Sequence, residues 1–184
     1  MKLHEKRIVS LFLLIVLILG IFPTPIQEGV FAADEFIKRL TIVHVNDVHG
    51  RIKEGDYDGM GYSKMATKLN MLRQENPNLI LLDAGDTIHG LPIVTVSRGE
   101  SMIKLMNQMG FDAMVPGNHD FNYGYDRLVQ LKDIAEFPIL GSNIINEKGE
   151  KEFKDYIIKE LDGIKVGIFG IATPETKYKA NPKN

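Results

Sequence analysis

The 184-residue chain contains no cysteine and no tryptophan, and charge of neither sign dominates it. Without cysteine, the sequence offers no disulfide, no thiol nucleophile and no thiolate ligand for a metal ion. The 22 Lys and Arg against 24 Asp and Glu leave a formal net charge of −2, which gives no electrostatic reason to expect a nucleic acid polymer as partner. Any bound metal ion must therefore use histidine, aspartate, glutamate or asparagine.

Long apolar runs are also scarce, and the main one lies at the N-terminus. A basic segment, residues 1–7, precedes the uncharged run from Ile8 to Phe22, and small residues follow up to Asp34. An apolar helix of about 15 residues would span roughly 22 Å, less than the roughly 30 Å of a bilayer core. This pattern predicts a secretory signal peptide over residues 1–33 rather than an uncleaved anchor. We expect the remaining chain to work outside the cytoplasm and to meet the membrane only during export.

The rest of the chain alternates between apolar, strand-like runs and segments with helical periodicity. With 44% hydrophobic and 25% charged residues, it has the composition of one ordinary globular domain. The alternation predicts an α/β layered fold. Expected strands cover 39–47, 79–86, a third run ending at Pro116, and 137–143. Expected helices run from a Ser63 cap to about residue 75, over 101–109 with Gly110 as C-cap, and over 125–136. A hairpin is expected at Asp162 and Gly163.

Each expected strand ends in polar residues. In α/β folds, ligands bind beyond the carboxyl ends of the strands, so these side chains are expected to converge on one site. They are Asp47, His49, Asp86, Asn118, His119, Asp120 and Asn143.

Four of these residues have the chemistry of metal ligands. Asp47 and His49 are two residues apart, so an extended segment would turn both side chains to the same side. Asp86 follows a glycine and offers two carboxylate oxygens, enough to bridge two ions. Asn118 adds a neutral oxygen. This mixture of carboxylate, imidazole and amide suits Mn, Zn or non-haem Fe, and two such ions would support phosphoryl transfer to water.

His119 is expected to face a substrate rather than a metal ion. Its imidazole could stabilise or protonate a leaving-group oxygen. Either Asp120 or Asn122 could hold its second ring nitrogen. Of the other histidines, His44 is expected to be packed within the first strand, and His89 to lie near the site without binding metal.

Four stretches give a more specific indication: LTIVHVNDVHGRI, LILLDAGDTIHGLP, MVPGNHDFNYG and FPILGSNI. Together they resemble the calcineurin-like metallophosphoesterases, and in particular the N-terminal catalytic domain of the secreted 5′-nucleotidase family. That family includes 2′,3′-cyclic-nucleotide phosphodiesterases and UDP-sugar hydrolases. The resemblance runs from about Leu40 to about Thr176. It implies a sheet sandwich flanked by helices that hydrolyses nucleotide phosphoesters with two divalent metal ions.

The resemblance also implies roles for individual residues. Asp47, His49 and Asp86 would bind one ion, and Asp86 and Asn118 the second. His119 would be the catalytic histidine. Family members often carry an acid three residues after this histidine, where this chain has Asn122. Orientation of the ring by Asn122 or by Asp120 therefore stays open.

One part of the family pattern is missing from the 184 residues. The family completes its metal site with three further histidines downstream, two of them in a Gly-His-x-His motif, and adds a C-terminal domain. Residues 34–184 are therefore expected to form the N-terminal part of such a domain, incomplete at its C-terminus, with little turnover of their own. The alternative is a non-catalytic remnant that folds partly or binds metal weakly.

Overall fold

Three parallel strands form the central sheet of the protein, for which a computed structural model describes residues 38–180. The strands are β1 (Thr41–Val45), β2 (Leu79–Asp83) and β3 (Ala113–Met114), in the order β1-β2-β3. The strand β2 lies in the middle, and its apolar sequence LILLD is buried along nearly its whole length, as expected for a parallel strand covered on both faces. The predicted signal peptide lies outside the described residues.

Helices connect and cover these strands. They are α1 (Gly61–Glu75), α2 (Pro92–Thr95), α3 (Glu100–Met109), α4 (Tyr125–Ile134) and α5 (Thr176–Lys179), with a 3₁₀ turn over His119–Phe121. The predicted C-cap of α3 is confirmed, since Gly110 adopts the left-handed conformation with φ 68° and ψ 52°. The predicted Ser63 cap is wrong, because α1 already begins at Gly61 and has no side-chain cap. The short α2 was not predicted.

The expected fourth strand at 137–143 is shorter than predicted. Only two parallel bridges form, between Ile139 and Met114 and between Leu140 and Lys154. Pro138 has no N–H to donate to a ladder, although its carbonyl accepts a hydrogen bond from the Met114 N–H at 3.1 Å. The segment therefore extends the sheet beyond β3 by a single bridge, that of Ile139 with Met114.

The predicted hairpin is confirmed. The strands β4 (Tyr156–Leu161) and β5 (Ile164–Phe169) pair antiparallel around Asp162 and Gly163. These two residues have φ values of 49° and 74°, and a two-residue type I′ turn requires such positive values at both positions. An ion pair between Lys159 of β4 and Asp112 ties the hairpin to the chain just before β3.

The core lies between the central sheet and its helices, and β1 contributes only one face to it. Val43 and Val45 pack against the core, whereas His44 is exposed and Ile42 is 54% exposed. The prediction that His44 is packed inside the strand is therefore wrong. The reason is that Ile42 and His44 share one face of β1, and the described residues do not cover this face.

The α/β class is confirmed: helices pack on a parallel sheet, and a two-stranded hairpin forms a second, smaller sheet. Within residues 38–180, no helix combines the length and the apolar character needed to cross a bilayer.

Candidate metal centre

The loops that follow β1 and β2 bring Asp47, His49 and Asp86 together. One ligand atom from each of the three side chains lies within 4.8 Å of the other two. Backbone hydrogen bonds fasten the loops to each other: the Asp47 N–H donates to the Gly85 carbonyl and the His49 N–H to the Asp86 carbonyl, both at 2.9 Å. The spacing of the three donor groups is thus fixed by the main chain.

The backbone at this cluster is strained. Asp47, His49 and Asp86 have φ values of 53°, 48° and 57°, in the left-handed region that non-glycine residues seldom occupy. Such conformations cost about 1–3 kcal/mol each and persist where the surrounding structure holds them for a purpose.

Two glycines allow the second and third loops to approach closely. A Cβ atom at Gly85 would lie 2.3 Å from the Gly117 nitrogen, and one at Gly117 would lie 2.2 Å from Asp86 Oδ1. Both distances are far shorter than a van der Waals contact. The glycines of Gly85-Asp86 and of Gly117-Asn118-His119-Asp120 are therefore required by packing between the loops.

The side chain of Asp120 also links these two loops. Its buried carboxylate accepts hydrogen bonds from the N–H groups of Asp86 (2.7 Å), Thr87 (3.0 Å), Ile88 (2.9 Å) and Gly117 (2.9 Å). Burial raises the pKa of Asp120 from 3.8 to about 6 and the charge of Asp86 adds to this, although the hydrogen bonds from the N–H groups of Ile88, Gly117 and Asp86 oppose the shift. Both oxygens are thus occupied by the backbone, which differs from the alternative in which Asp120 orients His119.

The ring of His119 is oriented by Asn122 instead. Asn122 Nδ2 lies 2.9 Å from His119 Nδ1, and the His119 backbone N–H donates to Asp86 Oδ1 at 2.7 Å. The His119 ring also contacts the ring of His49, with centroids 5.2 Å apart. His119 is therefore placed beside the cluster by both its main chain and its side chain.

His89 lies near the cluster, as predicted from the sequence, and contacts residues of the His119 loop. Its ring stacks on His119 at a centroid distance of 5.9 Å, and its Nδ1 lies 3.3 Å from Asn122 Nδ2. Burial lowers the pKa of His89, and the neighbouring His119 and His49 lower it further. The ring of Tyr123 also contacts the ring of His89, with centroids 5.1 Å apart. The only signal in the sequence was the position of His89 three residues after Asp86.

The two asparagines expected at the site have other contacts. Asn118 Nδ2 lies 3.5 Å from the Lys179 carbonyl oxygen, although its backbone starts the 3₁₀ turn that carries His119. The amide of Asn143 makes two hydrogen bonds with the Ala172 backbone, at 2.7 and 2.9 Å. The structure therefore shows Asn143 joining two chain segments rather than forming a fourth side of the cluster.

A second buried carboxylate, Asp83, was not identified from the sequence. Asp83 ends β2 and accepts hydrogen bonds from the Gly85 N–H and the Thr87 hydroxyl, both at 2.7 Å. Burial raises the pKa of Asp83 from 3.8 to about 8. The segment LLDAGD could have identified Asp83, because its first aspartate directly ends an apolar run.

The donor groups fit a divalent metal ion. Two carboxylates and one imidazole, all partly accessible, match the ligands that Mn, Zn and non-haem Fe accept. Their left-handed backbones and the glycine-dependent contact between loops hold them together without a large hydrophobic cover. Asp47, His49 and Asp86 could therefore hold an ion, and the amide oxygen of Asn118 lies in the adjoining loop.

The parallel α/β fold thus carries a cluster of candidate metal ligands at the carboxyl ends of its strands. Residues 40–175 match the family model of the calcineurin-like phosphoesterases. The chain belongs to this family, which confirms the resemblance drawn from the sequence.

The chain is similar to individual known proteins in sequence and in structure. The chain is 36% identical over 169 residues to a 5′-nucleotidase of Vibrio vulnificus, covering 89% of this chain and 30% of that protein. It superimposes on the 5′-nucleotidase precursor of Thermus thermophilus with a TM-score of 0.67 and 28% identity, over 75% of this chain and 29% of the other. The calcineurin-like phosphoesterase YfkN of Bacillus subtilis gives a TM-score of 0.63 and 28% identity, over 76% and 50% of the two chains. The chain thus spans about a third of the length of the 5′-nucleotidases it matches.

Proposed function

We propose that this domain supplies the metal site and the catalytic histidine of an enzyme that hydrolyses phosphoesters of nucleotides, using two divalent ions. The observation that carries the proposal is the strained Asp47, His49 and Asp86 cluster, held beside the His119 ring. The names of the relatives, 5′-nucleotidases, support a nucleotide as the small-molecule substrate.

The metal ligands are assigned as follows. Asp47, His49 and Asp86 hold one ion, and Asp86 and Asn118 reach the second. When bound, the ions supply Lewis-acid stabilisation of charge on the phosphoryl oxygens and lower the pKa of attacking water. The main-chain contacts of Asp86 keep this carboxylate fixed between the two loops, so that it is available to both sites.

His119 acts on the substrate. Its Nδ1 accepts from the Asn122 amide, so the neutral ring carries its hydrogen on Nε2 and can donate a hydrogen bond from that atom. A hydrogen bond from Nε2–H to the leaving-group oxygen would stabilise the negative charge that develops on this oxygen as its bond to phosphorus breaks. The contact between the His119 N–H and Asp86 Oδ1 couples this ring to the metal site.

We also propose that the protein is exported. The support is the pattern at the N-terminus, with a basic segment, an apolar run and small residues before Asp34. Mass spectrometry of the protein recovered from its producing cells tests this: a mature N-terminus near Asp34 is expected, and retention of residues 1–33 contradicts it.

Calorimetric titration of the full chain with Mn²⁺ tests the metal site. Asp86→Asn removes the shared carboxylate and is expected to weaken binding by at least about 10-fold, as loss of a charged ligand does. Asp162→Asn is the matched control, since Asp162 also has a left-handed backbone but lies in the hairpin turn. Equal affinity of the wild type and Asp86→Asn would overturn the site.

The role of His119 is tested separately. His119→Ala is expected to leave the Mn²⁺ affinity within about 3-fold of wild type, because this side chain contacts the substrate and not the ion. Phosphate release from AMP with added Mn²⁺ then separates binding from turnover: turnover by this chain is expected to be low, and loss of that turnover in His119→Ala with metal binding retained supports the enzyme. Loss of metal on this substitution contradicts the assignment, and metal binding without any turnover by the wild type favours the non-catalytic alternative for this chain.

A further inference from the structure

The amide of Asn122 is shared by two histidines. Its Nδ2 lies 2.9 Å from Nδ1 of His119 and 3.3 Å from Nδ1 of His89. An amide nitrogen carries two hydrogens, and a neutral imidazole has one nitrogen that accepts. One Asn122 amide can therefore donate to both rings at once, which fixes Nδ1 as the acceptor in each.

This sharing constrains the His119 tautomer. When Nδ1 accepts, the neutral ring carries its proton on Nε2. With His119 as its only partner, the amide could rotate by 180° and accept from Nδ1–H instead, so both tautomers would be available. With His89 present, the same rotation would turn the amide oxygen toward a second Nδ1 lone pair. Both rings would then have to change tautomer together.

The surroundings of His89 keep it in this position. Its ring stacks on His119 with an interplanar angle of 11° and contacts Tyr123 on a tilted face. It is carried by the loop that follows Asp86, whose Thr87 and Ile88 N–H groups are bound by Asp120. The Nδ1 atom of His89 is thus held near Asn122 by parts of the fold that do not depend on a ligand.

We propose that His89 is a positioning residue for the hydrolysis: by sharing the Asn122 amide it holds His119 in the tautomer with the proton on Nε2. This inference rests on the proposed function, in which His119 donates a hydrogen bond from Nε2–H to the leaving-group oxygen. A carboxylate at position 122 would accept from Nδ1–H, so that only a charged ring could also donate from Nε2; in this chain the neutral ring donates from Nε2, because its Nδ1 accepts from the amide.

Nitrogen-15 NMR of the imidazole rings tests the tautomer directly, in the full chain without added metal and at about pH 8, where an ordinary histidine is neutral. The wild type is expected to show His119 with a protonated Nε2 and an unprotonated Nδ1. His89→Phe keeps a stacking ring but removes the acceptor, and should lower the ratio of the two His119 tautomers by about 5-fold, the effect of one neutral hydrogen bond. His89→Asn places an amide oxygen, which can accept a hydrogen bond, near the position of the His89 Nδ1 atom. This variant should restore the ratio.

Asn122→Ala serves as the coupling control. Without the shared amide, adding His89→Phe should change the tautomer ratio no further, because His89 acts only through Asn122. An unchanged ratio in His89→Phe alone would overturn the proposal, as would a wild-type His119 protonated on Nδ1, a result that needs no variant to fold. Since no metal or substrate is present, failure of the proposed nucleotide hydrolysis would leave this measurement unaffected.

Discussion

Gly117 sets how closely the third loop can approach Asp86. Its φ is not in the left-handed region, so alanine would meet no backbone strain there, but its Cβ would lie 2.2 Å from Asp86 Oδ1 and 2.6 Å from the Asp86 nitrogen. We expect Gly117→Ala to push Asp86 away, lowering the free energy of unfolding by about 1–3 kcal/mol and the Mn²⁺ affinity by at least about 10-fold. Chemical denaturation and calorimetric titration measure the two effects.

Gly167→Ala is the matched control, since a Cβ at Gly167 would meet no atom within 4 Å. This change is expected to alter stability by less than about 0.5 kcal/mol and to leave metal binding as it is. A Gly117→Ala protein with wild-type Mn²⁺ affinity would show that close contact between the loops is not needed.

At the level of single residues, the sequence predicted well which side chains lie together at the site. It predicted less well what each of these side chains does. Strand ends and short spacings placed Asp47, His49 and Asp86 at one edge, because parallel strands deliver their ends together. The sequence could not distinguish Asp120 from Asn122 as the partner of His119. Asp120 is not the partner because its carboxylate binds four backbone N–H groups. These groups come from two loops more than thirty residues apart in sequence, those of Asp86 and Gly117. A local sequence pattern does not indicate such contacts.

Among the elements, α3 shows how a helix end is stabilised from outside. Arg73, near the end of α1, donates from Nη2 to the carbonyl oxygens of Met109 and Gly110, both at 2.8 Å. These are carbonyls that the last turn of a helix leaves without intrahelical partners, and a cation there also complements the helix dipole. The contact fastens two helices that lie far apart in sequence.

Arg73→Met keeps an aliphatic side chain but removes both donors, so we expect a loss of about 1–2 kcal/mol in the free energy of unfolding. Lys68→Met, on an exposed position of the same helix, is the matched control and should change stability by less than about 0.5 kcal/mol. Urea denaturation measures both. Equal midpoints for the two variants would argue that Arg73 contributes nothing beyond a surface charge.

Elements with local signals were predicted best. Asp162 and Gly163 defined the hairpin, and Gly110 defined the end of α3, because both signals depend on the conformations that particular residues allow. The fourth strand was overpredicted because Pro138 limits its ladder to single bridges. His44 was predicted to be packed, but its burial depends on which face of β1 is covered, and the residues of β1 do not specify this.

For the molecule as a whole, the buried Asp83 makes stability depend on pH. Burial raises its pKa from 3.8 to about 8, and the charges of Asp120 and Asp86 add to this, while hydrogen bonds from Thr87 and Gly85 oppose it. Between these two pH values the folded protein holds a proton that the unfolded chain has released. Stability from this group is therefore fully present below about pH 4 and is lost as the pH rises through about 8.

Asp83→Asn removes this titration while keeping an acceptor for the Gly85 N–H. Between about pH 6.5 and 8, above the ordinary pKa of histidine, we expect the free energy of unfolding of the wild type to fall with pH. The slope can be at most about 1.4 kcal/mol per pH unit for one proton, and Asp83→Asn should reduce it. Asp155→Asn, at an exposed ion pair with Lys151, is the control and should keep the wild-type slope. Denaturation curves collected across this range measure the three slopes, and a wild-type slope that is unchanged in Asp83→Asn would mean that Asp83 is already ionised in the folded protein at neutral pH.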